Sequence, residues 1–134
     1  MKILIACEFS GLVRDEFIKQ GHNAWSCDLL PSESKGQHFT RNIFEIINNG
    51  WDMLIAFPPC THLAVSGARW FKEKIADGRQ QQGIEFFMRF TKTNIPKVSI
   101  ENPVSIMSRV WRKPDQIIQP YQFGDPFSKK TCLW

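Results

Sequence analysis

The chain has 134 residues, 43% of them hydrophobic, and a net charge of +4. That length suits a single compact domain with a real core, and the composition excludes a disordered or low-complexity chain. No apolar run reaches the roughly 20 residues that span a bilayer, and so small a positive charge permits an anionic partner without demanding one.

Residues 1–7 (MKILIAC) imitate the start of a signal peptide, but Glu8 follows too soon and the run has only strand length. Residues 3–7 therefore read as a buried strand of the kind found in parallel sheets. Glu8-Phe9-Ser10-Gly11 makes a turn, and residues 12–20 form a helix closed by Gly21, the residue type favoured just past a helix end. Residues 24–27 (AWSC) form a second short strand, followed by Asp28 and Leu29. Residues 30–42 read as loop, and residues 43–48 as a short helix stopped by Asn49-Gly50. A third buried strand covers residues 53–57, with Asp52 before it and Pro58-Pro59-Cys60 after it. Residues 65–78 are loop and short helix. Residues 80–93 form a strong helix, with Ile84, Phe87, Met88 and Thr91 three or four apart. Residues 97–101 form a fourth strand, stopped by Asn102-Pro103. The remainder reads as irregular until a last short strand begins within residues 131–134.

This alternation of strand and helix predicts one α/β domain over residues 1–134, with a mostly parallel sheet and right-handed crossovers. The four cysteines, at 7, 27, 60 and 132, are scattered and form no Cys-x-x-Cys pair. They argue for a reducing, cytoplasmic setting and against a zinc site or a disulfide scaffold. In such sheets ligands bind where the strands end. Position alone thus directs Glu8-Phe9-Ser10-Gly11, Asp28-Leu29, Pro58-Pro59-Cys60 and Glu101-Asn102-Pro103 to one cleft.

The first turn has neither Gly-x-Gly-x-x-Gly nor the phosphate-loop pattern, so a pyrophosphate cradle is not expected. One glycine before a helix, an acid at Glu8 and a second acid at Asp28 suit a nucleoside ligand without a pyrophosphate, such as adenosyl-methionine. Asp28 would accept hydrogen bonds from the ribose hydroxyls; it would serve equally as a turn cap. Cys60 follows two prolines that fix the backbone. Taken alone it reads as a small packed residue, because a thiol becomes a nucleophile only when something activates it. Glu101, at the end of another strand, shifts that balance. A cysteine and a carboxyl facing one pocket can attack and protonate a heteroaromatic ring.

With these residues the chain resembles the catalytic domain of DNA (cytosine-5) methyltransferases, in a compact form common in phage and prophage sequences. Residues 3–11 resemble the adenosyl-methionine motif, with Phe9 and Gly11 at its phenylalanine and glycine. Asp28 falls at the ribose-binding acid and Asp52 at an acid that helps hold the adenine. Phe57-Pro58-Pro59-Cys60 resembles the Pro-Cys catalytic loop, and Glu101-Asn102-Pro103 the Glu-Asn-Val motif. The resemblance implies an adenosyl-methionine-dependent methyltransferase fold, Rossmann-like, with Glu8, Phe9, Ser10, Gly11, Asp28, Leu29 and Asp52 at the cofactor. It implies that Cys60 adds to C6 of a cytosine in DNA, that Glu101 assists at N3, and that Pro58, Pro59, Asn102 and Pro103 wall the base. Thr61-His62 stand where the family has a glutamine after the cysteine, and Lys129 and Lys130 are the nearest substitutes for its arginine-rich motif, with Lys130 assigned to the substrate. No target recognition domain follows. The sequence stops as a strand begins, so the resemblance implies a fold truncated at its C-terminus. A second reading is a catalytically inactive protein of phage origin that keeps the fold to engage a host protein. A third is an enzyme acting on a free nucleotide or on RNA.

Overall fold

The computed structural model describes all 134 residues, Met1–Trp134. In chain order the regular elements are β1 (Lys2–Ala6), α1 (Leu12–Lys19), β2 (Asn23–Asp28), β3 (His38–Thr40), β4 (Met53–Ala56), α2 (Phe71–Ala76), α3 (Arg79–Phe90), β5 (Lys97–Pro103), α4 (Met107–Val110), β6 (Gln116–Ile118) and β7 (Thr131–Leu133). The seven strands form a mixed, mostly parallel sheet in the order β3-β2-β1-β4-β5-β7-β6. That order is Rossmann-like, with an antiparallel β7 set between β5 and β6. No helix is long and apolar enough to cross a membrane.

The chain divides into two compact units, residues 1–57 with 90–99 and residues 58–89 with 100–134. In the first unit β1 pairs in parallel with β2 and with β4, and β2 with β3. Ile3, Leu4, Ile5 and Ala6 are fully buried, as expected of a central strand covered on both faces. Val13 and Phe17, four apart on α1, pack with Met53, Ile55 and Phe57 against Ile3, Ile5 and Ala24. The segment read as loop contains β3, whose Phe39 stacks on Trp25 with ring centroids 4.7 Å apart. The expected helix over residues 43–48 is a single 3-10 turn, Ile43–Glu45, capped by the Asn42 side chain.

Arg14 holds this unit together in a way its sequence position conceals. It lies on α1, yet it is fully buried. Its guanidinium donates to Asp15 and to the hydroxyls of Ser26, Ser32 and Ser34, and to the carbonyl of Lys35. The residue 32–35 loop is thereby tied to α1 and β2. Gly11 leads into α1 with a φ of 80°, and a Cβ there would collide with Ser34 Oγ and with the Arg14 guanidinium. An Arg14→Met variant should lose about 2–4 kcal/mol of stability, because it removes the hydrogen bonds that tie the residue 32–35 loop to α1 and β2. Denaturant titration reads that loss, and an unchanged midpoint would contradict it.

In the second unit β7 runs antiparallel to both β5 and β6, in the register Glu101↔Leu133 and Ile117↔Cys132. The tail read as mostly irregular thus carries α4, β6 and β7. Trp134 exchanges both backbone hydrogen bonds with Ile100, at 2.9 and 3.0 Å. Phe87 of α3 meets Trp111 and Trp134 edge to face, at centroid distances of 5.9 and 5.5 Å.

Candidate active site

The residues singled out from the sequence fall into two groups, one in each unit. The first group gathers where the parallel strands of the first unit end. The chain leaves β1 through Cys7, the only residue other than glycine with positive φ, at 59°. That twist is a cost the surrounding structure has to hold. Here the Cys7 and Glu8 amides both reach the Cys27 carbonyl of β2, at 2.8 and 3.3 Å. Glu8 is turned inward and is only 7% exposed. One carboxylate oxygen, Oε1, accepts the Ser10 hydroxyl, while Oε2 is buried with no hydrogen-bond partner. A buried acceptor without a donor is costly, so this oxygen suits a ligand hydroxyl or amino group. Asp28 closes β2, and its Oδ1 accepts the Leu30 amide at 3.0 Å. One oxygen of Asp28 therefore caps its own turn. Phe9 and Leu29 are exposed at this edge, Leu29 the more so at 74%.

Asn42 follows β3 near this edge, but its side chain is taken up in capping the Ile43–Glu45 turn. Asp52 does not belong with it. It precedes β4, its Oδ2 accepts the Lys2 amide at 2.6 Å, and its own amide donates to the Lys2 carbonyl. Because β1 and β4 are parallel, Asp52 sits level with the start of β1, about 13 Å of strand from its carboxyl end.

The second group lies in the second unit, around Cys60. Pro58 is buried, Pro59 exposed, and Cys60 half-buried. The Cys60 carbonyl accepts the amides of Leu63 and Ala64, both at 2.9 Å, so the cysteine begins one tight turn. The side chain of Asn102, completely buried, donates from Nδ2 to the Pro58 carbonyl at 2.9 Å. Downstream, Val65 donates to the Val104 carbonyl and Ile106 to the Leu63 carbonyl, both at 3.0 Å. Contacts on both sides of Cys60 thus fasten its loop to the stretch that carries Glu101 and Asn102. Two further side chains support the turn. The buried Lys74 ammonium donates to the Thr61 carbonyl at 2.6 Å. Gln80 Nε2 reaches the His62 carbonyl at 3.5 Å. A Cβ at Gly83 would stand 3.2 Å from Leu63, so α3 packs close here.

Glu101 lies within β5 rather than after it, opposite Leu133, and the strand continues through Pro103, opposite Thr131. Burial raises its carboxyl above the ordinary carboxylate range, and the Lys129 charge draws it part of the way back. Lys129, rather than Lys130, is therefore the lysine whose charge reaches the candidate acid. Both lysines are exposed. Asn102 Oδ1 is buried with no partner, a second unmatched acceptor beside Glu101.

All four cysteines are free. Burial pushes the Cys7 thiol up to about 12 and Cys27 up to about 11, and it raises Cys132, where the Glu101 charge adds to the effect. Those three remain protonated at neutral pH and are poor nucleophiles. Removing the latch should loosen the loop directly. Asn102→Ala leaves the buried Pro58 carbonyl without its donor, at a cost of about 1–3 kcal/mol. A thermal melt with the Asn102→Ala and Asn102→Gln variants side by side measures it; equal melting of both with the unmodified chain would remove the latch from the account.

The fold and these two groups define a mixed α/β domain with a Rossmann-like strand order. Comparison with protein-family models and with curated proteins yields no match to either.

Proposed function

We propose that the chain is an adenosyl-methionine-dependent methyltransferase acting on C5 of cytosine in DNA. The observation that carries this reading is the Asn102 Nδ2 to Pro58 carbonyl bond. It fastens a half-buried cysteine on a proline-stiffened turn to the strand that presents a carboxyl with a raised pKa. The strand order and the family resemblance of residues 3–103 support the same reading.

In this reading the first unit takes the methyl donor, through the unmatched oxygen of Glu8, the turn to Gly11 and the free capacity of Asp28. Asp52 has no part, given its place at the opposite strand ends. When bound, adenosyl-methionine supplies an electrophilic methyl group. The second unit handles the base. Cys60 adds as thiolate to C6 of cytosine, and Glu101, whose carboxyl burial makes easier to protonate, gives a hydrogen bond or a proton to N3. The ring electrons are thereby directed to C5, which takes the methyl group. Loss of the C5 proton then expels the Cys60 thiolate and restores the double bond. Asn102 and the two prolines hold the loop, and are positioning residues. In a duplex the target base has to leave the stack, at a cost of a few kcal/mol.

Calorimetric titration with adenosyl-methionine tests the donor half alone. Saturable binding, weakened in a Glu8→Gln variant, is expected. No binding would remove the Glu8 and Asp28 assignments together, and binding without any methyl transfer would favour an inactive binding protein.

A further inference from the structure

The two units differ in charge. The first holds seven Lys/Arg and seven Asp/Glu; the second holds ten and six, so the whole net charge of +4 belongs to the unit with Cys60 and Glu101. Within that unit, residues 119–130 join β6 to β7 and read QPYQFGDPFSKK. Three aromatic side chains stand out from this connection, Tyr121 at 58%, Phe123 at 71% and Phe127 at 54% exposure. Two lysines, Lys129 and Lys130, follow them, and Asp125 is the only acid. Three exposed rings on one short connection mark a candidate contact surface.

The connection is also built rather than loose. Pro120–Phe123 form a 3-10 turn, with the Gln122 side chain reaching back to cap the Gln119 amide and the Gln122 amide donating to the Gln119 carbonyl. The Gln119 amide donates to Gln122 Oε1 at 2.7 Å. Gly124 ends the turn at a φ of 100°, and the Asp125 amide returns to the Pro120 carbonyl at 3.2 Å. Rings on a preorganised turn lose little freedom when they bind. The connection leads straight into β7, which is hydrogen-bonded to the segment bearing Glu101, and the Lys129 charge is felt at that carboxyl.

We propose that this connection is a stacking platform for an unpaired strand of cytosine-containing DNA, with Tyr121, Phe123 and Phe127 taking base faces and Lys129 and Lys130 the phosphates. The proposal rests on the reading of the chain as a DNA-modifying enzyme and deepens it by naming the substrate form. Exposed rings followed by cations suit single strands, whose bases offer free π-faces. A duplex hides those faces and offers base edges, which twelve loop residues with no groove-sized helix are poorly made to read.

Fluorescence anisotropy with the full chain tests it, using a labelled 16-nucleotide single strand rich in cytosine and the same strand annealed to its complement. The unmodified chain should bind the single strand more tightly than the duplex, and added salt should weaken both. The triple variant Tyr121→Ala/Phe123→Ala/Phe127→Ala should bind the single strand about 10- to 100-fold more weakly. A triple leucine variant, which keeps apolar bulk but not π-faces, should fall between. All three rings are exposed, so circular dichroism should show the fold unchanged. Equal binding by the alanine variant, tighter duplex binding, or no strand binding at all would overturn the proposal. The readout needs neither the methyl donor nor Cys60, so a Cys60→Ser variant that still binds the strand separates failure of catalysis from failure of the platform.

Discussion

Replacing Cys60 by serine should abolish methyl transfer to cytosine, lowering the rate by about 10³–10⁶-fold, as removal of a nucleophile does in other enzymes. A serine hydroxyl is nearly isosteric, so the turn opened by the Cys60 carbonyl should survive, and with it the affinity for DNA. The other three thiols offer no substitute. Cys27 and Cys132 are buried, and Cys7 is held protonated behind β1. Serine replacements at Cys27 and at Cys132 should accordingly leave the rate within a few-fold. Transfer of radiolabelled methyl groups by each variant decides the matter; a Cys60→Ser enzyme of near normal rate would exclude the covalent route.

The second large effect is expected at Glu101, where activity and stability should move in opposite directions. Glutamine there keeps the shape but cannot donate a proton to N3, and a general acid typically contributes about 10²–10⁴-fold. The pH dependence follows from the raised pKa. Protonated Glu101 is the working form, so the rate should fall on the alkaline side as pH rises through that raised pKa. The alkaline limb should vanish in Glu101→Gln. Stability has its own sign. Burial raises the folded-state pKa, so folding is favoured below the unfolded value of about 4.3, and that contribution is lost as pH rises through the folded value. Above that folded value the unmodified protein carries a buried carboxylate that glutamine lacks. Glu101→Gln should melt at a higher temperature than the unmodified chain at pH 8 and at the same temperature at pH 4. Loss of rate together with loss of stability at pH 8 would indicate a structural acid instead.

The parts of the molecule that the sequence reveals are those whose own residues suffice to specify them. The apolar run of residues 3–6 makes a central strand whatever surrounds it. Val13 and Phe17 mark the buried face of α1, and Ile84 and Phe87 stand three apart along α3. Short elements are different. β3, β6 and β7 have three residues each, and a strand of that length exists because a neighbour supplies its hydrogen bonds. His38-Phe39-Thr40 and Gln116-Ile117-Ile118 hold strand-favouring residues, but three positions are too few to set a period.

The site divides along the same line. Cys60 and Glu101 stand out because each follows or ends an apolar run, and the prolines flag the turn. The Asn102 latch spans 44 residues and depends on the fold. Arg14 looks like one of the polar residues of an amphipathic helix, and only the serine-rich loop folding over it makes it a buried anchor. Lys74 sits in the charged run Phe71-Lys72-Glu73-Lys74 and carries no sign of being the one whose ammonium turns inward. Asp52 misled for a physical reason: an acid before a parallel strand and an acid after one look alike in sequence but lie at opposite edges of the sheet. Lys129 and Lys130 are adjacent in sequence, and only the fold singles out Lys129 as the charge that reaches Glu101.

The central claim is that Cys60 forms a bond to cytosine. A cytosine bearing fluorine at C5 isolates that bond, since after methyl transfer C5 has no proton to lose and the thiolate cannot leave. The protein should be incubated with adenosyl-methionine and a single-stranded oligonucleotide containing 5-fluorocytosine, and its intact mass measured. The account predicts a conjugate of protein, oligonucleotide and one methyl group, with the adduct mapped by digestion to the peptide carrying Cys60 and absent from Cys60→Ser. Free protein alone under conditions where the oligonucleotide and the donor are both bound, or an adduct on any other cysteine, would contradict it.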